Sequence, residues 1–223
     1  MQFSDRKPAR QFVKEPKQER ARRTKAHILQ TAAEAFTQHG YAVVSLQDIA
    51  DRALLTKGAV YFHFTNKEAL GAAVVHEHYA RWQPLVDEVR SLALPPLETL
   101  LRVLDRMAEA FCSDPVIQAG ARLQTERSLI RANLPTPYVG CRKLIAELAE
   151  RAREAGELKP DTDAEAFARV VVSAFFGMQH VSDVLARRND LMERYAELRE
   201  ALFRGVVVRL PIAPRDDGPI TVG

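Results

Sequence analysis

SLQDIADRALLTKGAVYFHFTNKEAL, residues 45–70, predicts two short helices joined by a tight turn and followed at once by a third helix. Ser45 is of a residue type preferred at helix N-caps, and Asp48, three residues later, can complete a capping box. Thr56 can cap the second helix, and Thr65 or Asn66 can cap the third. This order is typical of a helix-turn-helix, whose second helix enters the major groove of DNA.

The second helix of this stretch opens with residues that suit a close approach to DNA. Lys57 is basic, while Gly58 and Ala59 are too small to obstruct contact with a groove. The ammonium group of Lys57 can reach guanine acceptors or a phosphate, and Ala59 can touch a thymine methyl group. The sequence therefore predicts binding to a specific DNA site.

Positive charge is concentrated near the N-terminus of the chain. The 223 residues have a formal net charge of +3, yet residues 1–27 hold nine Lys or Arg against three acidic residues, which leaves −3 for the remainder. A basic arm beside a helix-turn-helix is the pattern expected for phosphate contact. For residues 1–16, a solvated tail is an equally good interpretation, because they are polar and contain Pro8 and Pro16.

Several other classes of protein are disfavoured by the sequence. Two cysteines are too few for a disulfide framework, and the longest apolar run, residues 170–178, is too short to span a bilayer. Motifs such as G-x-S-x-G and H-E-x-x-H do not occur, and His76 and His78 fall on different helix faces. We therefore expect a cytoplasmic protein that is not an enzyme and needs no cofactor, metal or membrane. An architectural or protein-interaction module is the other rival.

Hydrophobic periodicity and helix-breaking residues indicate helices throughout and no strands. We predict an all-α protein with a flexible basic arm at 1–16, a three-helix DNA-binding domain at 17–64, a ligand-binding and dimerisation domain at 65–210 and a flexible tail at 211–223. The segment 162–187 is apolar on nearly every face and must be covered all round. With the last helix, at 190–209, it can build a four-helix bundle from two subunits. The other helices are predicted at 17–39, 66–91, 97–112, 114–133 and 138–155.

Motifs in the first third of the chain are typical of one family of regulators. The first helix ends in F-x-x-x-G-Y, at Phe36, Gly40 and Tyr41, and S-L-x-D-I-A, T-K-G-A-V-Y-F-H-F and N-K-E-A-L follow. On these motifs, residues 20–70 resemble the TetR family of repressors. Four later stretches resemble the γ-butyrolactone-type autoregulator receptors of filamentous actinobacteria, a subfamily: VVHEHYARW (74–82), DPVIQAGARLQTERSLI (114–130), LPTPYVGCRKLI (134–145) and AFFGMQHVSD (174–183).

The resemblance implies a homodimeric repressor of secondary-metabolite genes. It would hold a palindromic double-stranded DNA operator until a small lactone, butenolide or furan signal spreads the two heads through the helix at 66–91. Such receptors usually carry a tryptophan shortly after the P-x-P-(Y/F) segment, where this chain has Cys141. The alternative is therefore a pseudo-receptor, or a drug-sensing regulator that responds to an antibiotic or another hydrophobic compound.

The predicted DNA-binding residues surround the helix-turn-helix. Base contacts are assigned to the start of the second helix, and phosphate contacts to the flanking polar and basic residues, with Ser45 offering its N–H and hydroxyl. The first helix supplies residues for the DNA backbone or an adjacent minor groove. Val60, Phe62 and Phe64 are expected to pack inside the domain. The predicted DNA-binding set is Arg22, Arg23, Thr24, Ser45, Thr56, Lys57, Gly58, Ala59, Tyr61, His63 and Lys67.

The ligand site is expected to be mostly apolar, with a few polar groups that orient the ligand. Tyr79, Trp82 and Val86 share one stripe of the fourth helix, and Gln124 is polar in an otherwise apolar helix. The aromatic residues also suit an ordinary core, and Gln179 and His180 also suit the dimer interface. With the resemblance, the predicted ligand-binding set is Tyr79, Trp82, Val86, Gln124, Tyr138, Cys141, Phe175, Gln179 and His180.

Overall fold

The computed structural model describes residues 17–208, and the regular elements within that range are all helical, which confirms the all-α prediction. One isolated antiparallel bridge joins Leu158 and Val207. The predicted arm at 1–16 and tail at 211–223 lie outside the described residues. In chain order the helices are α1 (Lys17–His39), α2 (Leu46–Arg52), α3 (Lys57–His63), α4 (Lys67–Ser91), α5 (Pro96–Ser113), α6 (Pro115–Thr125), a 3-10 helix (Arg127–Leu129), α7 (Val139–Glu154), α8 (Ala164–Ala186) and α9 (Leu191–Arg204).

Side-chain caps fix where the two short helices of the head begin. The predicted capping box is present: the Ser45 N–H donates to Asp48 Oδ2 over 2.7 Å, and the Asp48 N–H donates to Ser45 Oγ over 3.2 Å. The hydroxyl and the N–H of Ser45 both donate to the Asp48 carboxyl group, and these two hydrogen bonds lower its pKa. Thr56 Oγ1 accepts a hydrogen bond from the Ala59 N–H at 3.2 Å. Each cap satisfies a backbone donor that the first turn of a helix leaves open.

Helix α4 belongs to both halves of the molecule. It begins in the head, where Asn66 Oδ1 accepts a hydrogen bond from the Ala69 N–H at 2.7 Å and Leu70 and Val74 are fully buried in the head core. Its 25 residues, which span roughly 38 Å, end in the body, where Val89 is buried in a second core. Helix α4 is therefore the direct covalent connection between head and body.

Helix α6 is shorter than the helix predicted at 114–133. Asp114 caps it as expected, but α6 ends at Thr125 and the 3-10 helix follows. Beyond that turn, Ile130 and Leu134 are buried in the head core. The cause is tertiary packing: the chain leaves the helix and turns towards the head, and local periodicity alone does not record that turn.

Helices α4 and α6 approach each other closely at Gly120. A Cβ atom added there would lie 2.2 Å from Cγ of His78 on α4, a separation that real Cβ atoms essentially never show. Glycine is thus the residue that lets α6 lie directly against α4. This contact fixes the position of α4 relative to α6.

An apolar surface on α8 and α9 is uncovered in the single chain. We call it the α8 face. The prediction that α8 is covered all round includes a second subunit, so for this surface it stays a prediction. Exposed apolar patches of this kind mark protein contact sites. The α8 face comprises Val170, Val181, Val184, Leu185 and Met192.

Candidate DNA interface and ligand cavity

Helix α3 presents its first turn to solvent. Lys57 and Gly58 are exposed, and a Cβ atom added at Gly58 would meet nothing within 4 Å. Ala59 is half-buried, and Val60 is fully buried in the head core. The start of the helix is therefore free of neighbouring atoms on the side where it would meet a DNA groove, while its opposite side anchors it.

A shallow groove of about 370 Å³ brings together Ser45, Lys57, Tyr61 and Lys67 from α2, α3 and α4. Lys57 Nζ lies 5.7 Å from the centre of the Tyr61 ring. Lys67 Nζ donates to the Ala42 carbonyl over 3.0 Å, and burial lowers the pKa of this ammonium group. Since an ammonium group has three N–H donors, Lys67 keeps donors for a phosphate.

Ser45 and the three predicted DNA contacts on α1 already bond to other groups of the chain. Both the N–H and the hydroxyl of Ser45 donate to Asp48 Oδ2, each over 2.7 Å, so both donors are occupied in this structure, and their contact with a phosphate stays a prediction. The capping box is the physical reason. On α1, Arg22 is 82% exposed with Nε 3.8 Å from Glu19, and the Thr24 hydroxyl donates to the Arg20 carbonyl. Arg23 is also exposed and paired with Glu19.

Phe62 is the residue of the recognition surface that the sequence interpretation missed. Val60 and Phe64 are buried as predicted, but the ring of Phe62 is 79% exposed, so the prediction that it packs inside is wrong. It lies four residues after Gly58 and hence on the same face of α3, a helical spacing that was available in the sequence. The ring packs edge-on against half-buried His63 at 5.1 Å between centroids. An exposed ring at this position can contact thymine methyl groups or sugars.

A cavity of about 420 Å³ lies in the body between α4, α5, α6, α7 and α8. Its volume falls within the usual size of small-molecule sites, and most of its wall is apolar or aromatic. The structure places six predicted ligand-binding residues in this wall. They are Tyr79, Trp82, Val86, Gln124, Tyr138 and Cys141. Residues that the sequence interpretation did not include also line it, among them His78, Val103, Met107, Leu144 and Phe176.

Gln124 gives this cavity a polar centre. Its side chain is buried, and Nε2 donates to the Tyr79 hydroxyl over 2.7 Å. Its other polar atom, Oε1, is buried and has no hydrogen-bond partner in the part of the chain that the structure describes. Burial raises the pKa of Tyr79, so that the phenol is neutral near pH 7. Because a buried acceptor without a partner carries a free-energy cost, the cavity favours a ligand that donates a hydrogen bond to Gln124.

His78 connects the cavity wall to α6. Its Nδ1 lies 3.1 Å from the Ile117 carbonyl, and the Trp82 Nε1–H donates to His78 Nε2 over 3.2 Å. Because the carbonyl can only accept, this pair of contacts assigns the proton to Nδ1. Burial lowers the pKa of His78 to about 4, which keeps the ring neutral. The orientation of Trp82 in the cavity therefore depends on a neutral His78.

Two protein families match this chain, one in each half. The family described as bacterial regulatory proteins, tetR family, matches residues 28–74, which contain the helix-turn-helix. The family described as tetracyclin repressor-like, C-terminal domain, matches residues 94–208, just over half of the chain. The chain belongs to the TetR family. The resemblance drawn from residues 20–70 is thereby confirmed.

Several members of the TetR family are similar to this chain over most of its length. The A-factor receptor protein of Streptomyces griseus is 32% identical over 182 residues, which cover 82% of this chain and 63% of that protein, so the match spans less than two thirds of the relative. One solved structure concerns the molecular basis for control of antibiotic production by a bacterial hormone. Its chain is 52% identical to this one, with a TM-score of 0.77, and the match covers 83% of this chain and 98% of that chain. A γ-butyrolactone receptor, described as ArpA-like, is 31% identical with a TM-score of 0.74, over 85% of this chain and 90% of its own.

Three predicted ligand residues of this TetR-family chain lie away from the cavity. Phe175 is 1% exposed and packs against Phe111 at 5.8 Å between ring centroids, so it belongs to the core. Its neighbour Phe176 takes the place in the wall, because one residue turns a helix by about 100°. Gln179 and His180 line a second cavity, between α1, α6 and α8. The sequence predicts that α8 lines the ligand cavity, but it does not predict which side of α8 faces that cavity.

Lys57→Ala should weaken specific operator binding by about 1–3 kcal/mol, because it removes the cation at the exposed start of α3. Fluorescence anisotropy on a labelled operator palindrome, compared with unrelated DNA of equal length, measures the change. Lys159→Ala removes an exposed lysine from the loop before α8 and serves as the control. Equal operator affinity of Lys57→Ala and the control, with circular dichroism unchanged, would show that α3 does not read this site.

Proposed function

We propose that the chain is a ligand-responsive transcriptional repressor that binds a palindromic operator as a homodimer. A small diffusible signalling molecule of the γ-butyrolactone, butenolide or furan type releases it, and the controlled genes serve secondary metabolism. The observation that carries the proposal is the buried Oε1 of Gln124, which has no partner among the described residues, in a mainly apolar cavity of about 420 Å³. An acceptor in such a wall suits a mainly apolar molecule with one hydroxyl group. The similarity to receptors of this class supports it further.

Helix α6 supplies the route from the ligand to the head. Gln124 lines the cavity, and its neighbour Leu123 is buried in the head core. The Arg122 guanidinium donates to the Thr37 carbonyl at 2.8 Å, and Glu126 Oε2 accepts the Tyr41 N–H at 2.6 Å. A shift of α6 on ligand binding would thus act on α1 and on the turn after it. Coupling of this kind is reciprocal and typically about 1–3 kcal/mol.

The homodimer is supported by the α8 face. Its aliphatic side chains are 42–71% exposed in the single chain, a cost that association would remove. Two copies joined there present two helix-turn-helix heads. The DNA site must then repeat with the same two-fold symmetry, since half-site spacing mirrors the separation of the heads. We assign DNA binding to residues 17–64, and ligand binding and dimerisation to 65–210.

We infer that the chain is a regulator without catalytic activity and that it acts in the cytoplasm, where its operator would be. Membership of a family of regulatory proteins supports the first point. None of the helices within residues 17–208 is long and apolar enough to cross a membrane. We assign no metal or other cofactor to it.

Cys141 favours the second candidate, a pseudo-receptor or a drug-sensing regulator. The residue lies in the cavity wall after the Pro-rich segment, and burial raises the pKa of its thiol to about 12, so it is a neutral, apolar surface at pH 7. A thiol in place of an indole leaves room for a bulkier molecule. Such a ligand would be an antibiotic or another hydrophobic compound.

The proposal is tested by fluorescence anisotropy on a labelled palindrome from the region upstream of the gene. The protein is titrated with and without organic extract of the host culture, and separately with the antibiotics that the host makes. Release by the extract supports a diffusible signal, and release by an antibiotic alone supports the second candidate. No preference for the palindrome over unrelated DNA would contradict both.

Gln124→Ala should leave the affinity for the operator unchanged. The concentration of extract needed for release should rise about five- to tenfold, because the ligand loses one or two hydrogen bonds. The variant removes both the unpaired Oε1 of Gln124 and the amide N–H that donates to the Tyr79 hydroxyl. Gln30→Ala, the same change on α1, is the control. A response of Gln124→Ala identical to that of the control would exclude Gln124 from ligand binding.

A further inference from the structure

A second cavity, of about 890 Å³, lies between α1, α6 and the end of α8. We call it the polar cavity, because charged and amide side chains dominate its wall, in contrast to the apolar ligand cavity. It adjoins the α8 face, since Val184 belongs to both. The proposed signalling ligand does not bind in this space, although the route from α6 to the head passes along its wall through Arg122 and Glu126.

Two buried polar atoms in its wall have no hydrogen-bond partner within residues 17–208. Gln179 is 6% exposed; its Nε2 donates to the Phe176 carbonyl at 3.2 Å, and Oε1 is left without a donor. The Arg188 side chain is 8% exposed and pairs with Asp183 over 2.8 Å, but its Nε–H has no acceptor. Buried atoms of this kind are uncommon in folded proteins and call for a ligand or ordered solvent. A ligand that satisfies both atoms must accept a hydrogen bond from Arg188 Nε and donate one to Gln179 Oε1.

Among the described residues, the charges around the polar cavity leave one cation without an opposite partner at its α8 end. Arg122 is paired with Glu126 at 3.0 Å, and Arg188 with Asp183. Arg187 is exposed in the wall, and no ion pair to it occurs among the described residues. Glu34, on the opposite side, accepts a hydrogen bond from Gln30. Burial lowers the pKa of Arg188, a desolvation cost that a bound anion would offset.

We propose that the polar cavity is a second binding site, which takes a small hydroxylated anion. Its carboxylate or phosphate oxygens are held by Arg187 and by the free Nε–H of Arg188, and its hydroxyl donates to Gln179 Oε1. Guanidinium groups suit such oxygens because they form charge-assisted hydrogen bonds. In the same wall, Arg122 also donates to the Thr37 carbonyl of α1. Occupancy would therefore change operator affinity, a consequence that rests on the proposed function.

Citrate and tricarballylate are the probes, since they are the same tricarboxylate with and without a hydroxyl group. Titration calorimetry of the full chain, at constant ionic strength set with KCl, should show citrate binding about fivefold tighter, the contribution of one neutral hydrogen bond. Arg187→Gln should weaken citrate binding about tenfold, the loss of a charge-assisted hydrogen bond. Gln179→Leu should abolish the preference for citrate. Arg204→Gln on α9, an exposed arginine paired with Glu200, is the matched control and should change nothing.

Absence of citrate binding to the wild-type chain would overturn the site, because solvent would then suffice for the two buried atoms. Equal affinity in Arg187→Gln and Arg204→Gln would overturn it as well. The calorimetry does not involve DNA, so it is independent of the proposed repressor function. Citrate binding without any change in operator anisotropy, in a chain that binds its palindrome, would overturn only the regulatory consequence.

Discussion

Gly120→Ala should destabilise the chain by about 3 kcal/mol, at the upper end of the usual cost of overpacking. The new methyl group would meet the His78 ring, with the nearest ring atom at 2.2 Å. His78 cannot turn away without breaking its contacts to Ile117 and Trp82. The higher helix propensity of alanine, worth about 1 kcal/mol, does not offset this clash. Urea denaturation followed by circular dichroism measures the change.

Gly140→Ala is the control for this prediction. Gly140 is also helical, on α7, but a Cβ atom added there would meet nothing within 4 Å. We expect its stability to equal or slightly exceed that of the wild-type chain. If Gly120→Ala unfolded at the same urea concentration as Gly140→Ala, α4 and α6 would have to be able to separate at little cost. The close contact would then not fix the position of α4.

Acidification from pH 6.5 to pH 4 should lower the free energy of unfolding by about 3 kcal/mol through His78 alone. Each unit by which folding lowers the pKa corresponds to about 1.4 kcal/mol. Burial lowers the pKa of this histidine from 6.5 to about 4 in the folded chain. The unfolded chain therefore takes up the proton first as the pH falls. The stabilisation from His78 is fully present above pH 6.5 and is lost as the pH falls towards 4.

His78→Gln isolates this contribution from the carboxyl groups that titrate in the same range. A glutamine can still accept from Trp82 and donate to the Ile117 carbonyl, but it has no proton to gain. Urea midpoints between pH 7 and pH 4 should therefore fall less steeply in the variant than in the wild-type chain. Parallel slopes for the two proteins would show that His78 is not buried as the structure has it.

The helix-turn-helix is predictable from sequence because its determinants are local. Ser45, Asp48 and Thr56 act on backbone groups within three residues, so the caps and the starts of α2 and α3 are readable from spacing alone. Phe62 shows that local sequence does not decide which apolar side chains are buried. Hydrophobicity predicts burial for this residue, but the head core is filled by its neighbours Val60 and Phe64.

The ligand cavity was only partly predictable, for a reason of geometry. The stripe Tyr79, Trp82 and Val86 shares one face of α4, and that face does line the cavity. The sequence also predicts Phe175 in this wall, yet Phe176 is the residue there, since the rotation of α8 about its own axis depends on its neighbours. His78 was not assigned because its role depends on Gly120, which is distant in sequence.

The sequence by itself determined the all-α class, the helix caps and the family, because these depend on short-range hydrogen bonds and on motifs. Tertiary structure alone decided where α6 ends, which side of α8 faces a cavity, and that Gln124 holds Tyr79 while its Oε1 stays unpaired. It also placed Gln179 and Arg188 around the polar cavity. The physical reason is that burial and pairing depend on contacts between residues far apart in the chain, and these exist only after the helices have packed.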